Sequence, residues 1–340
     1  MDVSQNTSIE PNAHFSKTLP YQPTHLRTID YVIITVSYLG IMGNVVSLLV
    51  WRTHKTYNPV IFLFKYLAVV DIQHLVSISF WRIFVLFRRY FSDHTYFTVL
   101  FTTYGIEFFG QALSLHTTLL IAVCRFIVVS RPLEVYNGTL LTRCQVIVAC
   151  VVLFFWCLLL AVPFIVMTLI IFNDKIDKGK TSYFFPLIFA FCELSVITLL
   201  MIVFDVLLLK KLYSSTALRS SPDSPQSGEI RYKGRRVTVV VVLMSMGSIL
   251  AYLITGTCVA LAFIYLHYTQ EEKTKDTVET LITTYEFFES LNSSINIIFY
   301  LAFFQNFRKV SPIAGTIIDV TESSIPTKIP RSKNVSDGTW

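Results

Sequence analysis

Ionisable and amide side chains recur at helical spacing inside otherwise apolar stretches of the sequence. One set advances by 4, 3, 4 and 7 residues, through Glu107, Gln111, Ser114, Thr118 and Arg125. Another advances by 3, 4, 3 and 4 residues, through Glu286, Glu289, Ser293, Asn296 and Tyr300. Such steps place side chains along one face of an α-helix. Each face could therefore bind a charged ligand or an ion within an apolar helix.

A third apolar stretch places Asp71, His74 or Leu75, Ile78 and Arg82 on one face. We expect the three faces to converge and to set several carboxyls against the single Arg82, namely Glu107, Glu286, Glu289 and Glu193. This acidic excess suits a cationic ligand, for which Arg82, Gln111 and Tyr104 are further predicted contacts.

A purely structural interpretation of these residues is also open. In that case Arg82 pairs with one glutamate, and the other carboxyls are neutral because a buried charge is costly. We favour ligand contact for Glu107 and a structural role for Glu193. His116 lies off the face of Glu107, so we expect it to make a local helix contact.

The composition indicates which solvent surrounds these helices. The chain has 340 residues, of which 53% are hydrophobic and 15% charged, and its mean hydropathy is +0.58. Ordinary soluble domains carry about 25% charged residues, so the sequence favours a membrane protein. The net charge is +6; we attribute it to membrane topology and expect no nucleic-acid partner.

The sequence predicts an all-α integral membrane protein, a bundle of seven transmembrane helices. A spanning helix needs about 20 mostly apolar residues. The predicted spans are Ile29 to Trp51, Val60 to Phe84, Phe97 to Val129, Val146 to Phe172, Tyr183 to Leu209, Val237 to Leu266, and Val278 to Phe304. We expect an extracellular segment over 1–28, the bundle and a short membrane-parallel helix over 29–309, and a cytoplasmic tail over 310–340. The longest connection, 213–236, is predicted to be a flexible loop.

Loop charges set the predicted orientation. With the N-terminus outside, the cytoplasmic segments hold nearly twice as many Lys and Arg as the outer ones, as the positive-inside rule requires. Asn6 begins the one glycosylation sequon that this topology exposes outside the membrane. We expect a multi-pass protein of the plasma membrane.

The cysteines and histidines predict neither a disulfide framework nor a metal site. All six cysteines lie in or beside apolar stretches and are expected to be small buried side chains. The seven histidines are scattered and none has metal-ligand spacing with a cysteine. We therefore expect no zinc site and no organic cofactor.

Several short motifs occur in a fixed order along the spans. They are Gly43-Asn44, Leu67-Ala68-Val69-Val70-Asp71, Cys124-Arg125-Phe126 with Pro132 downstream, Trp156, and Asn296-Ile297-Ile298-Phe299-Tyr300 with Phe307-Arg308 downstream. The ordered set resembles the rhodopsin-like G-protein-coupled receptors from about Ile29 to Lys309. Within that family it is most similar to invertebrate FMRFamide-type peptide receptors and nematode serpentine chemoreceptors.

The resemblance implies a role for individual residues. It places the coupling and activation of a heterotrimeric G protein on Arg125, Tyr300, Asn296, Tyr252 and Pro132. It implies a mid-membrane sodium and water site formed by Asp71, Ser114, Asn44 and Asn296. Glu107 and Glu286 match positions that contact ligands in the family, and the tail would be phosphorylated for arrestin binding.

The sequence also departs from the family pattern. Cys124 replaces the acidic neighbour of Arg125, and Gly234, Arg235 and Arg236 offer no acid at the start of the sixth span. The usual ionic restraint on the inactive state is therefore expected to be absent. Tyr252 stands where the family has tryptophan, and Leu100 replaces the cysteine that ties down the second outer loop.

Other functions remain open to different degrees. A receptor for small molecules or odorants is the first alternative to a neuropeptide receptor. A ligand-gated channel or transporter could use Asp71, Glu107 and Glu289 as an ion path, but the internal repeats and broken spans common in transporters are not evident. A retinal pigment would need a lysine in the seventh span, where Ser290 stands. No paired catalytic groups are found, so we expect no enzyme.

Overall fold

The computed structural model describes residues 24–52, 58–87, 90–172, 184–217, 225–268 and 273–304. Within these ranges the chain is almost entirely α-helical and has no β-strand, which confirms the predicted all-α fold for this part of the chain. The helices are α1 (Thr24–Arg52), α2 (Pro59–Leu86), α3 (Asp93–Ser130), α4 (Pro132–Tyr136), α5 (Arg143–Phe172), α6 (Phe184–Ala217), α7 (Pro225–Tyr268) and α8 (Lys273–Phe303).

Six helices are long and apolar enough to cross a membrane, which fits the predicted membrane protein. They are α1, α2, α3, α5, α6 and α7. The seventh predicted span lies in α8, which does not reach the same apolar character over the residues described. It carries Glu279, Glu286 and Glu289 within three turns.

Large apolar side chains lie on the outward surfaces of the helices, and several ionisable side chains lie in the interior. On α5, the side chains of Val152, Phe155 and Leu159 are 60%, 62% and 61% exposed. Asp71 and Glu286, by contrast, are fully buried. An apolar exterior around polar groups suits a helix bundle in lipid, where backbone groups are satisfied within each helix and ionisable side chains face the interior.

The helices α2, α3 and α8 form the centre of the bundle. α8 packs between α1 and α7 and also contacts α2, while α3 contacts α2, α5, α6 and α7. The polar faces predicted on α2, α3 and α8 are therefore turned toward one another. One end of the bundle holds Arg82, and we refer to it as the Arg82 end; the opposite end is the Arg125 end.

An aromatic cluster closes the Arg125 end between α1, α2 and α8. The ring centroid of Trp51 lies 5.7 Å from that of Phe64 and 5.6 Å from that of Tyr300. The Phe64 and Tyr300 centroids are 5.3 Å apart. Aromatic pairs at these separations add to the burial energy of the rings. The cluster therefore holds α1, α2 and α8 together at the Arg125 end.

The predicted loop over 213–236 is wrong for most of its length. α6 continues to Ala217 and α7 begins at Pro225, so both helices extend beyond the apolar spans. Proline fits this place because the first turn of a helix does not need its missing N–H. Polar residues can continue a helix into water, whereas the apolar period that defined the spans ends earlier.

The cysteines are free, but two of them are not buried as predicted. Cys124, Cys150, Cys157 and Cys258 are buried, whereas Cys144 and Cys192 are exposed. A thiol behaves as a small apolar group, so the outer surface of a membrane helix accommodates it.

Several predictions concern residues outside those described. They include the glycosylation site at Asn6, the short helix beyond Phe304 and the tail over 310–340. These stay predictions.

Candidate functional site

Buried polar side chains from α1, α2, α3 and α8 form a column through the bundle. Each side chain of this polar column is at most 9% exposed. Its members are Asp30, Arg82, Glu286, Glu107, Glu289, Gln111, His74, Ser293, Asp71, Ser114 and Asn296. The column has an upper, a middle and a lower layer, counted from the Arg82 end toward the Arg125 end.

The upper layer is an ion-pair network around Arg82. The Arg82 Nη1 donates to Asp30 Oδ1 at 2.6 Å, and Nε donates to Glu286 Oε2 at 2.5 Å. Nη2 also pairs with Glu286. One guanidinium therefore joins α2 to both α1 and α8, and two carboxyls neutralise it. Two such contacts from one planar fork are a geometry that arginine favours.

The middle layer brings together His74, Glu107 and Glu289 from α2, α3 and α8. His74 Nε2 lies 3.8 Å from Glu289 Oε2. Gln111 Nε2 donates to the other carboxyl oxygen of Glu289, and His74 Nδ1 lies 3.1 Å from Ser293 Oγ. Neither oxygen of Glu107 has a hydrogen-bond partner among the described residues.

The lower layer surrounds Asp71. Ser114 Oγ donates to Asp71 Oδ1 at 2.7 Å, and Asn296 Nδ2 donates to Asp71 Oδ2 at 2.8 Å. The structure therefore joins three of the four residues predicted for a sodium site. Asn44 differs, because its Nδ2 donates to the backbone oxygens of Gly40 and Ser293, both at 3.0 Å. Its contact ties α1 to α8 rather than forming a hydrogen bond with Asp71.

Arg125 lies below the polar column, at the contact between α3 and α7. Its Nε donates to the hydroxyl of Thr238 at 3.0 Å. The sequence offered no acid to restrain Arg125, and the structure shows a neutral hydroxyl in contact with it. Tyr300 is buried within the aromatic cluster at the same end.

The remaining predicted residues occupy separate places. Tyr104 packs on Trp81, the residue before Arg82 in the sequence, with ring centroids 5.5 Å apart. Tyr252 is buried with Leu115 and Met201 between α3, α6 and α7. Pro132 is exposed at the first position of α4. Trp156, part of the motif set, is 48% exposed on α5.

Glu193 does not join the acidic group in which it was placed. Its Oε1 lies 3.3 Å from His116 Nε2, and His116 Nδ1 lies 2.8 Å from the Ala112 backbone oxygen. The pair links α3 to α6, away from the residues that contact Arg82. The local contact predicted for His116 is the one to the Ala112 backbone oxygen, and Glu193 on α6 is a second partner of the same ring.

Sequence reasoning missed three residues of this region. Asp30 is a single acid at the start of an apolar span, so no periodic pattern marks it. The sequence left open whether His74 or Leu75 lies on the polar face of α2, and the neighbours of His74 come from two other helices. No motif or periodic pattern in the sequence marks Thr238. Only Asp30 carried a usable signal, since an acid inside a membrane span is costly and therefore needs a partner.

Comparison with known proteins adds no assignment. No model of a known protein family matches the chain, and no curated protein matches it in sequence. The arrangement of side chains is therefore the basis for any function. The middle layer offers buried carboxyls that have no lysine or arginine partner among the described residues. The lower layer offers a polar cage around Asp71, and the Arg125 end offers a buried arginine.

Proposed function

We propose that this chain is a G-protein-coupled receptor of the plasma membrane that activates a heterotrimeric G protein when an extracellular ligand binds. The observation that supports this proposal best is the polar column itself. It extends from Arg82 to Asn296 between the four helices α1, α2, α3 and α8, and Arg125 lies beyond its lower end on α3. A ligand at one end can thus bias contacts at the other.

The charges of the upper and middle layers favour a cationic ligand. Asp30 and Glu286 already neutralise Arg82. Glu107 and Glu289 have no lysine or arginine within ion-pair distance among the described residues. A cationic neuropeptide or amine would compensate these carboxyls, and compensation lowers the cost of their burial. We place ligand contact on Glu107 and Glu289, with Gln111 and Tyr104 beside them.

Activation would proceed by a shift in population. The contact between Arg125 and Thr238 holds α3 against α7 at the Arg125 end. A ligand that binds more tightly to the state in which this contact opens will raise the population of that state. In that state Arg125 would contact the G protein. Asp71 would hold a sodium ion in the closed state, surrounded by Ser114 and Asn296.

The proposal includes seven membrane crossings, with the N-terminus outside and the C-terminus in the cytoplasm. Lys210 and Lys211, which follow the apolar span within α6, would contact anionic lipid or the G protein. Phosphorylation of the tail would permit arrestin binding. A small-molecule chemoreceptor shares all of these features except the class of ligand.

The decisive experiment measures G-protein dissociation by resonance energy transfer in cells. Amidated neuropeptides, biogenic amines and neutral volatiles are tested on the wild type and on Glu107→Gln. We expect a cationic ligand to act on the wild type, and its half-maximal concentration to rise roughly 10- to 100-fold in the variant, because a charge-assisted contact is worth about 1.5–3 kcal/mol.

Glu193→Gln is the matched control, since Glu193 is also a glutamate on a membrane helix, with its side chain 9% exposed, but contacts His116. It should respond like the wild type at equal surface expression. A response to neutral volatiles alone, unchanged in Glu107→Gln, would refute the cationic ligand and retain the receptor. If no coupling is detected, basal coupling included, and the ligand instead gates a current, the receptor function is refuted and the protein is a channel.

A further inference from the structure

The middle layer has the composition of a metal site. One potential ligand atom each from His74, Glu107 and Glu289 lie within 4.8 Å of one another, and all three residues are buried. We propose that these residues bind a divalent transition-metal ion of the Zn²⁺ type. The three ligands come from α2, α3 and α8, so their spacing in sequence gives no metal motif.

The unsatisfied polar atoms of these residues point to a missing ligand. Glu107 Oε1 and Oε2, His74 Nε2 and Glu289 Oε2 are buried and have no hydrogen-bond partner among the described residues. Buried polar groups in folded proteins nearly always have a partner, and an unpaired carboxylate is the costliest exception. A single cation would satisfy atoms from all three side chains at once.

Neighbouring residues orient two of the ligands toward a common centre. With the Nδ1 proton of His74 donated to Ser293 Oγ at 3.1 Å, Nε2 carries the free lone pair. Gln111 occupies Oε1 of Glu289, which leaves Oε2 on the side of His74. Ligating histidines usually donate their other ring N–H to a nearby acceptor, which fixes the tautomer.

The ligand types favour zinc over calcium or magnesium. Imidazole suits Zn²⁺ and its neighbours in the first transition series, whereas Ca²⁺ and Mg²⁺ take oxygen ligands only. Tetrahedral zinc with bonds of about 2.0–2.1 Å places its ligand atoms ~3.4 Å apart. The His74 Nε2 to Glu289 Oε2 distance of 3.8 Å is close to this value. Glu107 would approach by side-chain rotation.

Charge also favours a divalent ion. Arg82 forms its ion pairs with Asp30 and Glu286, and neither Glu107 nor Glu289 is in ion-pair contact with it. Two carboxylates and one neutral imidazole match the charge of a divalent cation. Three protein ligands leave a further coordination position for water or for a group of a bound ligand.

Such a metal would cross-link the three central helices. The proposed metal site goes beyond the receptor function and does not depend on coupling to a G protein. The two proposals can therefore fail separately. Metal bound at this place would also remove the negative charge that a cationic ligand needs, so added zinc would lower the response to that ligand.

The test uses the full chain, purified in detergent with an affinity tag that contains no histidine. After exposure to zinc and removal of the unbound ion, metal content is measured by plasma mass spectrometry. We expect one zinc per wild-type chain and a loss of most of it in Glu107→Gln and His74→Asn. Zinc should raise the thermal unfolding temperature of the wild type, since it binds only the folded chain.

His116→Asn is the matched control, because His116 is buried and contacts one glutamate but belongs to no group of three metal-binding side chains among the described residues. It should retain zinc. Absence of bound zinc in the wild type, or equal retention in Glu107→Gln, would overturn the proposal. Visible absorption of the cobalt-substituted wild type provides a test that needs no variant: tetrahedral ligand-field bands are expected, and a spectrum of free aqueous cobalt would refute the site.

Discussion

Arg82 is shared by two carboxyl groups from different helices. Asp30 on α1 and Glu286 on α8 both contact its guanidinium, and all three side chains are buried. A buried ion pair contributes little net stability compared with apolar residues of the same volume, but removal of one partner leaves a charge without compensation. The network therefore makes the position of α2 depend on the presence of every member.

Replacement of Arg82 by methionine is expected to destabilise the protein by about 3–5 kcal/mol, the usual cost of leaving a buried charge unpaired. Thermal unfolding in detergent measures the effect. Arg131→Gln is the control, because Arg131 and Glu134 form a pair at 3.4 Å whose side chains are 63% and 49% exposed. Exposed pairs are worth about 0–1 kcal/mol, so this variant should unfold near the wild-type temperature.

Combining Arg82→Met with Asp30→Asn and Glu286→Gln should recover most of the lost stability, because no unpaired charge remains. Equal loss in the single and triple variants would contradict the electrostatic origin and assign the effect to packing alone.

At the residue scale, the helical period located most of the polar column. Glu107, Gln111 and Ser114 on α3 share one face in sequence and are buried together in the structure. The period says nothing about which faces meet. Asp30 therefore escaped notice, and the structural role favoured for Glu193 gave no indication that His116 is its partner. Contacts between helices depend on tertiary geometry that one sequence does not reveal.

At the element scale, α1 and α8 approach each other closely at two glycines. A Cβ atom at Gly40 would lie 2.7 Å from Ser294 Cβ and 2.8 Å from Leu75 Cδ1. One at Gly43 would lie 2.8 Å from Ile297 Cγ2. The close approach permits the hydrogen bond between Ser37 and Ser290 at 2.7 Å. Small residues at such contacts are common between membrane helices.

Gly40→Ala is expected to lower stability by about 1–3 kcal/mol, since an extra methyl group in a tight contact forces the helices apart. Thermal unfolding in detergent is the measurement. Gly247→Ala on α7 is the matched control, because its added Cβ would meet only Phe299 at 4.0 Å. That variant should be unchanged or slightly more stable, given the helix propensity of alanine. If both substitutions had the same effect, the close α1–α8 contact would not explain it.

The helices themselves were largely predictable because apolar length is the dominant signal in a membrane protein. Each of the seven predicted spans overlaps one helix. Their ends were less predictable, as α6 and α7 show by extending beyond the apolar residues. The short α4 was also missed, since its five residues are too few for a periodic pattern.

At the scale of the whole molecule, the place of α8 decides the topology. By composition it is the most polar of the long helices, and it is not among the six that qualify as spans. Yet it packs against α1, α2 and α7, and its polar residues Glu286, Glu289 and Ser293 are buried by them. Its 31 residues extend about 46 Å, more than the ~30 Å hydrocarbon core. The neighbouring helices shield the polar face from lipid, so we infer that α8 crosses the membrane with them.

An odd number of crossings places the two ends of the chain on opposite sides of the membrane. We expect an epitope fused to the N-terminus to be stained on intact cells and one at the C-terminus only after permeabilisation. Asn6→Gln should abolish any shift in mobility produced by glycosidase, whereas Asn334→Gln, in the predicted cytoplasmic tail, should not. Both substitutions remove a sequon, so they are matched in chemistry and differ only in predicted side.

Each contrary result has a distinct meaning. Both epitopes on the same side would show an even number of crossings, with α8 as a helix that does not span, and would refute the seven-helix receptor. A C-terminus outside and an N-terminus inside would retain seven crossings but reverse the loops. Arg125 would then face the exterior, where no G protein can reach it. An inverted topology would therefore refute coupling through Arg125 and favour the ligand-gated channel, in which the buried carboxyls of the polar column serve as an ion path.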